Sequence, residues 1–375
     1  MKIPDEILNI LNILEDNKYE AWLTGGCVRD SLLDRPIHDW DIATSALPEQ
    51  VTELFPRTVP TGIQHGTVTV LTDGLPAEIT TFRSDGIYMD GRHPDQVRFV
   101  ANLSEDLWRR DFTVNAIAFS RQGKLVDLTG GLSDLMQKTI RCVGNPDVRF
   151  HEDALRMLRA LRFSAQLNFT IEDETLAAIY RCAPLADQLS AERVRGEMEK
   201  TLLSDHPEYL NTMIQAGLLH CSGLSEPVNL KSIRVLPVTA EIRWAALLLA
   251  APELNLSALH FPTRVIRTVQ NAVRNCGTDL TPAGLRQIIY QDGLDCARIT
   301  TALLGRTEML NAELAAGHCL SLRDLAVRGT DFPQLSGPDI GKTLRRLMEH
   351  VLLYPEDNQK EKLLLIAQSM DYPDI

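Results

Sequence analysis

The period of the apolar positions changes near Arg149. Before that point, helix-like stretches at 5–15, 28–33 and 48–55 alternate with short runs at 19–23, 66–71 and 77–83 that read as strands. The alternation in TVTVLT and AEITTF is that of strands packed on one face. Residues 84–95, SDGIYMDGRHPD, are polar and carry Gly86, Gly91 and Pro94, which predicts a mobile loop. Beyond Arg149 helical periodicity takes over, with helices expected at 152–166, 172–183, 191–203 and 207–216 and several more up to Ala367. No low-complexity segment or regular repeat interrupts it. The fold class expected is α+β: an N-terminal head of mixed sheet with helices, followed by an elongated all-α body and tail.

Bulk composition narrows the functional classes. A chain of 375 residues has room for two or three domains, and 44% hydrophobic with 23% charged residues is ordinary for a soluble protein. No apolar run approaches the length needed to span a bilayer, and the first residues are acidic where a signal peptide is basic, so no membrane role and a cytoplasmic location are expected. The seven cysteines are odd in number and scattered, with no Cys-x-x-Cys pair, which points to reduced thiols and against disulfides or zinc. A net charge of −12 counts against a nonspecific nucleic-acid binder. It leaves room for a local basic stripe, and arginines do cluster between Arg109 and Arg195.

Candidate chemistry concentrates in LTGGCVRDSLLDRPIHDWDIAT, residues 23–44. A strand broken by Gly25-Gly26 and resumed as a helix turns backbone N–H groups toward a phosphate. Asp39 and Asp41 stand two apart, on one face of a strand, and hard oxygen donors at that spacing favour Mg²⁺ shared with substrate phosphates. RRDFTVNA, from Arg109, offers two guanidiniums and an amide at the expected head of a helix, suited to phosphate oxygens. The turn beginning at Asp127, DLTGG, reads equally as plain turn chemistry or as part of a site. In EDALRMLRALRF, Asp153, Arg156, Arg159 and Arg162 step by three, opposite Leu155, Leu158 and Leu161. One reading is a salt-bridged amphipathic helix. The other is a base reader, because a carboxylate beside a guanidinium matches the donor–acceptor edge of cytosine and adenine and mismatches that of uracil and guanine. The charged helix AERVRGEMEK, from Ala191, is placed to brace that segment. Glu78 reads as a third carboxylate or as a partner for Arg83, and the His38-Asp39 pair lacks the further His and Asp cluster a phosphohydrolase would need.

Taken in order, LTGGCVRD with DWD, RRDFTVNA, the Asp127 turn, EDALRMLRALRF and ERVRGEMEK resemble the successive motifs of class II CCA-adding enzymes and bacterial poly(A) polymerases, members of the nucleotidyltransferase superfamily. The likeness covers the first 200 residues, and LAVRGTDF with SGPDIGKTLRRLMEHVL resembles the family's body and tail more loosely. It implies a catalytic head at 1–148, a nucleotide-recognising neck at 149–220 and a tRNA-binding body and tail at 221–375. It further implies that Asp39 and Asp41 bind Mg²⁺, that Gly26, Arg29 and Arg110 hold the triphosphate of CTP or ATP, and that Asp153 and Arg156 read the base with Arg159 and Arg162 in support. The partner implied is tRNA, gripped at acceptor stem and elbow, and a homodimer is left open. Poly(A) polymerases and relatives adding only CC or only A are the neighbouring readings; the full-length 84–95 loop and the lack of a long basic extension favour complete CCA addition. A catalytically silent RNA-binding protein needs none of Asp39, Asp41, Arg110, Asp153 and Arg156, all of which are present.

Overall fold

Ile7, Ile10, Leu11 and Leu14 fall on one face of α1 (Asp5–Asp16) and are all buried, while Asp5 and Glu6 in its first turn complement the positive helix end. The computed structural model describes residues 1–62, 66–72, 74–85, 97–99 and 102–369. After α1 come β1 (Ala21–Thr24), α2 (Gly26–Leu32), β2 (Trp40–Thr44), α3 (Pro48–Leu54), β3 (Thr58–Gly62), β4 (Thr67–Val70) and β5 (Ala77–Thr81). Next, β6 (Arg83–Asp85) and β7 (Val97–Phe99) pair as a separate antiparallel ribbon. The loop expected at 84–95 lies outside the described residues from residue 86 onward. Then follow α4 (Leu103–Trp108), β8 (Ile117–Phe119), β9 (Leu125–Asp127) and α5 (Gly131–Met136).

Seven strands form one mixed sheet in the order β3-β4-β5-β2-β1-β8-β9. Only β2 and β5 run parallel within it, joined by a crossover that carries α3, β3 and β4. Alternation sets the two faces: Val68, Val70, Ala77 and Ile79 are buried while Glu78 is exposed. The β2–β5 register pairs Ile42 with Ile79 and, one step earlier, Asp41 with Glu78. The packing that buries the isoleucines therefore also fixes the two carboxylates opposite one another.

The chain divides into two compact units, Met1–Pro227 and Val228–Ile375. In the first, β10 (Thr139–Ile140) pairs in parallel with β11 (Thr170–Ile171), and α6 (Pro146–Glu152), α7 (Leu155–Leu167), α8 (Asp173–Cys182), α9 (Ala191–Leu202) and α10 (Tyr209–Gln215) complete it. α7 packs against α9 and α10 and is buried nearly all round, so it is a central helix rather than an amphipathic surface one.

Two expectations are corrected here. The helix expected at 152–166 is broken at Asp153, whose backbone is extended (φ −148°, ψ 105°) and whose carboxylate accepts the Leu155 N–H at 3.1 Å. An aspartate that caps the backbone competes with helix continuation, so α6 stops and α7 starts anew. Only Arg156, Arg159 and Arg162 thus share one helix. The arginines of RRDFTVNA, in turn, follow the end of α4, with Arg109 as its C-cap, and Thr113–Asn115 is a single 3₁₀ turn.

The second unit is helical: α11 (Lys231–Arg234), α12 (Ala240–Ala250), α13 (Thr263–Asn275), α14 (Pro282–Asp292), α15 (Leu294–Leu303), α16 (Thr307–Ala315), α17 (Gly337–Leu353) and α18 (Lys360–Gln368). Trp244 meets Phe261 edge-on at 5.0 Å, and Leu347, Met348, Val351 and Leu363 centre the core beneath α17 and α18. A buried ion pair, Arg286 to Glu313 at 2.9 Å, ties α14 to α16, and the same guanidinium donates to the Leu352 carbonyl at 2.7 Å. Among the described residues no helix is long and apolar enough to cross a membrane. All seven cysteines are free thiols.

Candidate active site

The turn between β1 and α2 is built on Gly25, at φ +70°. A Cβ there would stand 3.1 Å from Asp41 Oδ2 and 3.2 Å from Arg110 Nη1, so conformation and space both require glycine. At Gly26 a Cβ would meet only Arg29 Nη2 at 3.7 Å. What Gly26 contributes is its backbone N–H, which donates to the Asp41 carboxylate.

Asp41 lies on β2 in register with Glu78 on β5, and Asp39 stands exposed just ahead of the strand. The Asp41 carboxyl is pushed up to about 6, chiefly by burial. The Arg110 charge pulls it down, while Glu78 and Asp39 add repulsion. Neither Asp41 nor Glu78 forms an ion pair with a described residue. Crowded carboxylates without a cation form an electrostatic deficit that a bound cation would relieve.

Asp41 and Glu78 line a cleft of about 460 Å³ whose helical wall carries Arg109, Arg110, Asp153, Arg156, Arg159 and Arg193; Asp39 is not among its lining residues. On this wall every arginine has an acidic partner. Arg109 and Arg110 share Asp106; Arg156 pairs with Glu152; Arg159 pairs with Asp111 at 2.5 Å. Burial alone would raise the Asp111 carboxyl, but the Arg159 guanidinium outweighs it and holds the group far below the usual range. Both oxygens of Asp153 accept from Arg193 Nη2 at 3.0 Å, which orients the carboxylate and leaves lone pairs over. Arg156 is fixed by the Arg149 carbonyl at 3.1 Å and the Arg109 carbonyl at 3.3 Å. Asp153 and Arg156 thus reach one cleft from either side of the helix break.

Other residues predicted from sequence fall outside the cleft lining. Arg29 is buried; it donates to Asn115 Oδ1 at 2.7 Å, clamps Asp30 and lies over Phe163. Arg162 pairs with Glu197 at 2.6 Å and also covers Phe163, and burial brings its guanidinium pKa down to about 10 despite the glutamate. The helix from Ala191 therefore braces the break at Asp153 and the arginine helix at Arg162. The Asp127 turn is structural: its carboxylate accepts the N–H groups of Thr129, Gly130, Gly131 and Leu132, capping α5. A Cβ on Gly131 would fall 2.1 Å from the Thr113 carbonyl, so this turn supports the RRDFTVNA segment from behind. Sequence reasoning passed over Asp106 and gave Arg193 only a bracing role. An aspartate three and four residues before two arginines was the available signal for Asp106.

Residues 21–141 match the Poly A polymerase head domain, and residues 168–221 match the family described as Probable RNA and SrmB- binding site of polymerase A. The sheet and its helices are accordingly the head of a nucleotidyltransferase. The CCA-adding enzyme of Lactobacillus delbrueckii subsp. bulgaricus is 39% identical over 376 residues, covering 95% of each chain, and that of Enterococcus faecalis is 37% identical over 392 residues, covering 98% of this chain and 97% of its own. The crystal structure of the Bacillus stearothermophilus CCA-adding enzyme in complex with CTP superposes with a TM-score of 0.86 at 34% identity, covering 98% of both chains. The chain belongs to the family of CCA-adding enzymes, the tRNA nucleotidyltransferases.

Proposed function

We propose that this cleft adds the 3′-terminal CCA to tRNA from CTP and ATP without a nucleic-acid template. The observation that supports the reading is the cleft's division into two unlike walls: carboxylates on the sheet with no ion-pair partner among the described residues, and a positioned acceptor–donor pair, Asp153 and Arg156, among the arginines of the helical wall. Asp153 accepts from the exocyclic amine of cytosine or adenine, and Arg156 donates to the neighbouring ring acceptor. Uracil and guanine would set donor against donor and acceptor against acceptor. Arg110 receives the triphosphate, and Gly26, whose N–H is given to Asp41, acts by fixing that carboxylate. Arg29 acts through Asn115, and Arg159 and Arg162 act by tying α7 to Asp111 and to Glu197 on α9.

Divalent metal use is general to the superfamily, and we assign the ion as Mg²⁺ with Asp39 and Asp41 as its protein ligands. The donor set fits: it is all oxygen, and no group of three or more His, Cys, Asp or Glu among the described residues could cage an ion alone, as suits a hard cation shared with substrate phosphates. When bound, the ion supplies positive charge for the leaving pyrophosphate and lowers the pKa of the attacking 3′-hydroxyl. We assign residues 1–148 to catalysis, 149–220 to reading the nucleotide and 221–375 to gripping the acceptor stem and elbow of tRNA by backbone and shape. The test is single-turnover extension of a tRNA transcript lacking its 3′ end, with Mg²⁺ and CTP, ATP or both. Three added residues requiring both nucleotides support the reading. Long tails from ATP alone would make the chain a poly(A) polymerase, and no extension would make it a silent RNA binder.

A further inference from the structure

Asp106 lines no part of the cleft, yet its carboxylate is fully buried directly behind it. One oxygen accepts from Arg109 Nε and Nη2 at 3.0 and 2.7 Å; the other accepts from Arg110 Nε and Nη2 at 3.2 and 3.0 Å. Arg110 is drawn further back by Thr24 Oγ1 at 2.7 Å. In front, Arg110 Nη1 and Asp41 Oδ2 both lie within about 3.2 Å of the spot where a Gly25 Cβ would stand, yet they form no ion pair. Besides Asp106 and Thr24, Arg110 is held back from Asp41 by the Asn115 carbonyl, to which its Nη1 donates at 3.4 Å.

We propose that Asp106 is a positioning residue for the triphosphate: it holds Arg109 and Arg110 as one two-armed anion receptor and keeps Arg110 from collapsing onto Asp41. This rests on the reading of the cleft as a nucleotide site and deepens it. A buried carboxylate shared by two guanidiniums fixes both forks, which Thr24 alone could not do for Arg109. Because the receptor addresses phosphate and not base, its loss must affect CTP and ATP alike. That separates Asp106 from Asp153, whose loss must change the choice between bases.

The test uses the full chain with Mg²⁺ present: calorimetric binding of CTP, ATP and inorganic tripolyphosphate, beside single-turnover extension of the truncated tRNA, below the thermal midpoint of each variant. Asp106→Asn should weaken binding of all three ligands by a common factor of roughly 10–100. Its KM should rise more than its kcat falls, with discrimination against UTP unchanged. Binding constants equal to wild type, with only a lowered thermal midpoint, would overturn the proposal and leave Asp106 a structural anchor. If Asp106→Asn does not fold, Asp106→Glu retains the charge while displacing the forks; it should show the same base-independent loss, and an unchanged KM would overturn the proposal. A wild-type chain that binds neither CTP nor ATP would defeat the nucleotide reading itself, an outcome separate from either variant result.

Discussion

The two walls of the cleft handle charge in opposite ways. On the sheet side Asp41 and Glu78 face each other without an ion-pair partner among the described residues, and burial pushes the Asp41 carboxyl up to about 6. On the helical side Asp106 and Asp111 are each locked to arginine and held below the usual range, although burial works against it. The sheet wall is electrostatically incomplete and the helical wall is complete. Incompleteness marks where a ligand must bring charge; completeness marks the scaffold that has to be rigid before it arrives.

Breaking the incomplete wall should have the largest effect on chemistry. Asp41→Asn is expected to reduce single-turnover extension by roughly a thousandfold or more, since the cation held there is worth several kcal/mol in the transition state. Affinity for tRNA, read by filter binding, should be unchanged. Breaking the complete wall should instead harm the fold: Asp111→Asn leaves Arg159 without its carboxylate and is expected to lower urea stability by roughly 2–4 kcal/mol. Between these lies the reader. Asp153→Ala frees Arg193 and should reduce discrimination against UTP by about 10–100-fold in competition assays; unchanged discrimination would sink the base-reading role.

The smallest effect separates the walls by pH. Asp41 is raised in the folded state, so its contribution is fully present below the ordinary aspartate value of 3.8 and is lost as pH rises through about 6. Asp106 and Asp111 are depressed, so theirs is present above that value and is lost as pH falls below it. In EDTA, the thermal midpoint should therefore decline between about pH 4 and 6, by the equivalent of at most roughly 1–3 kcal/mol. Asp41→Asn should flatten that decline, and a wild-type midpoint flat across this range would remove the assigned strain.

How far the sequence reveals this site depends on whether each feature is local. Gly25 and Asp41 were legible because a turn with positive φ and a strand alternation are written in adjacent residues. The break at Asp153 was not, because the leucines and arginines from 155 to 162 keep helical period and mask the aspartate as one more member of the stripe. Its partner Arg193 lies 40 residues away, beyond any periodic pattern. Glu78 was legible as a candidate carboxylate, but its place opposite Asp41 required knowing that β5 pairs in parallel with β2 across a crossover. Asp106 shows its helical spacing to the arginines in sequence, but not that it is sealed from water, and its importance comes from that burial.

The β2–β5 register has a bearing on how this chain tolerates error. Ile42 and Ile79 face the interior beside Asp41 and Glu78, so one alternation measures out both the core and the carboxylate pair. Deleting a single residue within β5 would turn isoleucine toward the cleft and glutamate toward the interior in one step. Lengthening the crossover between the strands leaves both untouched. Insertions there are the changes this lineage could accumulate silently, while a slip in the strand itself removes folding and chemistry together.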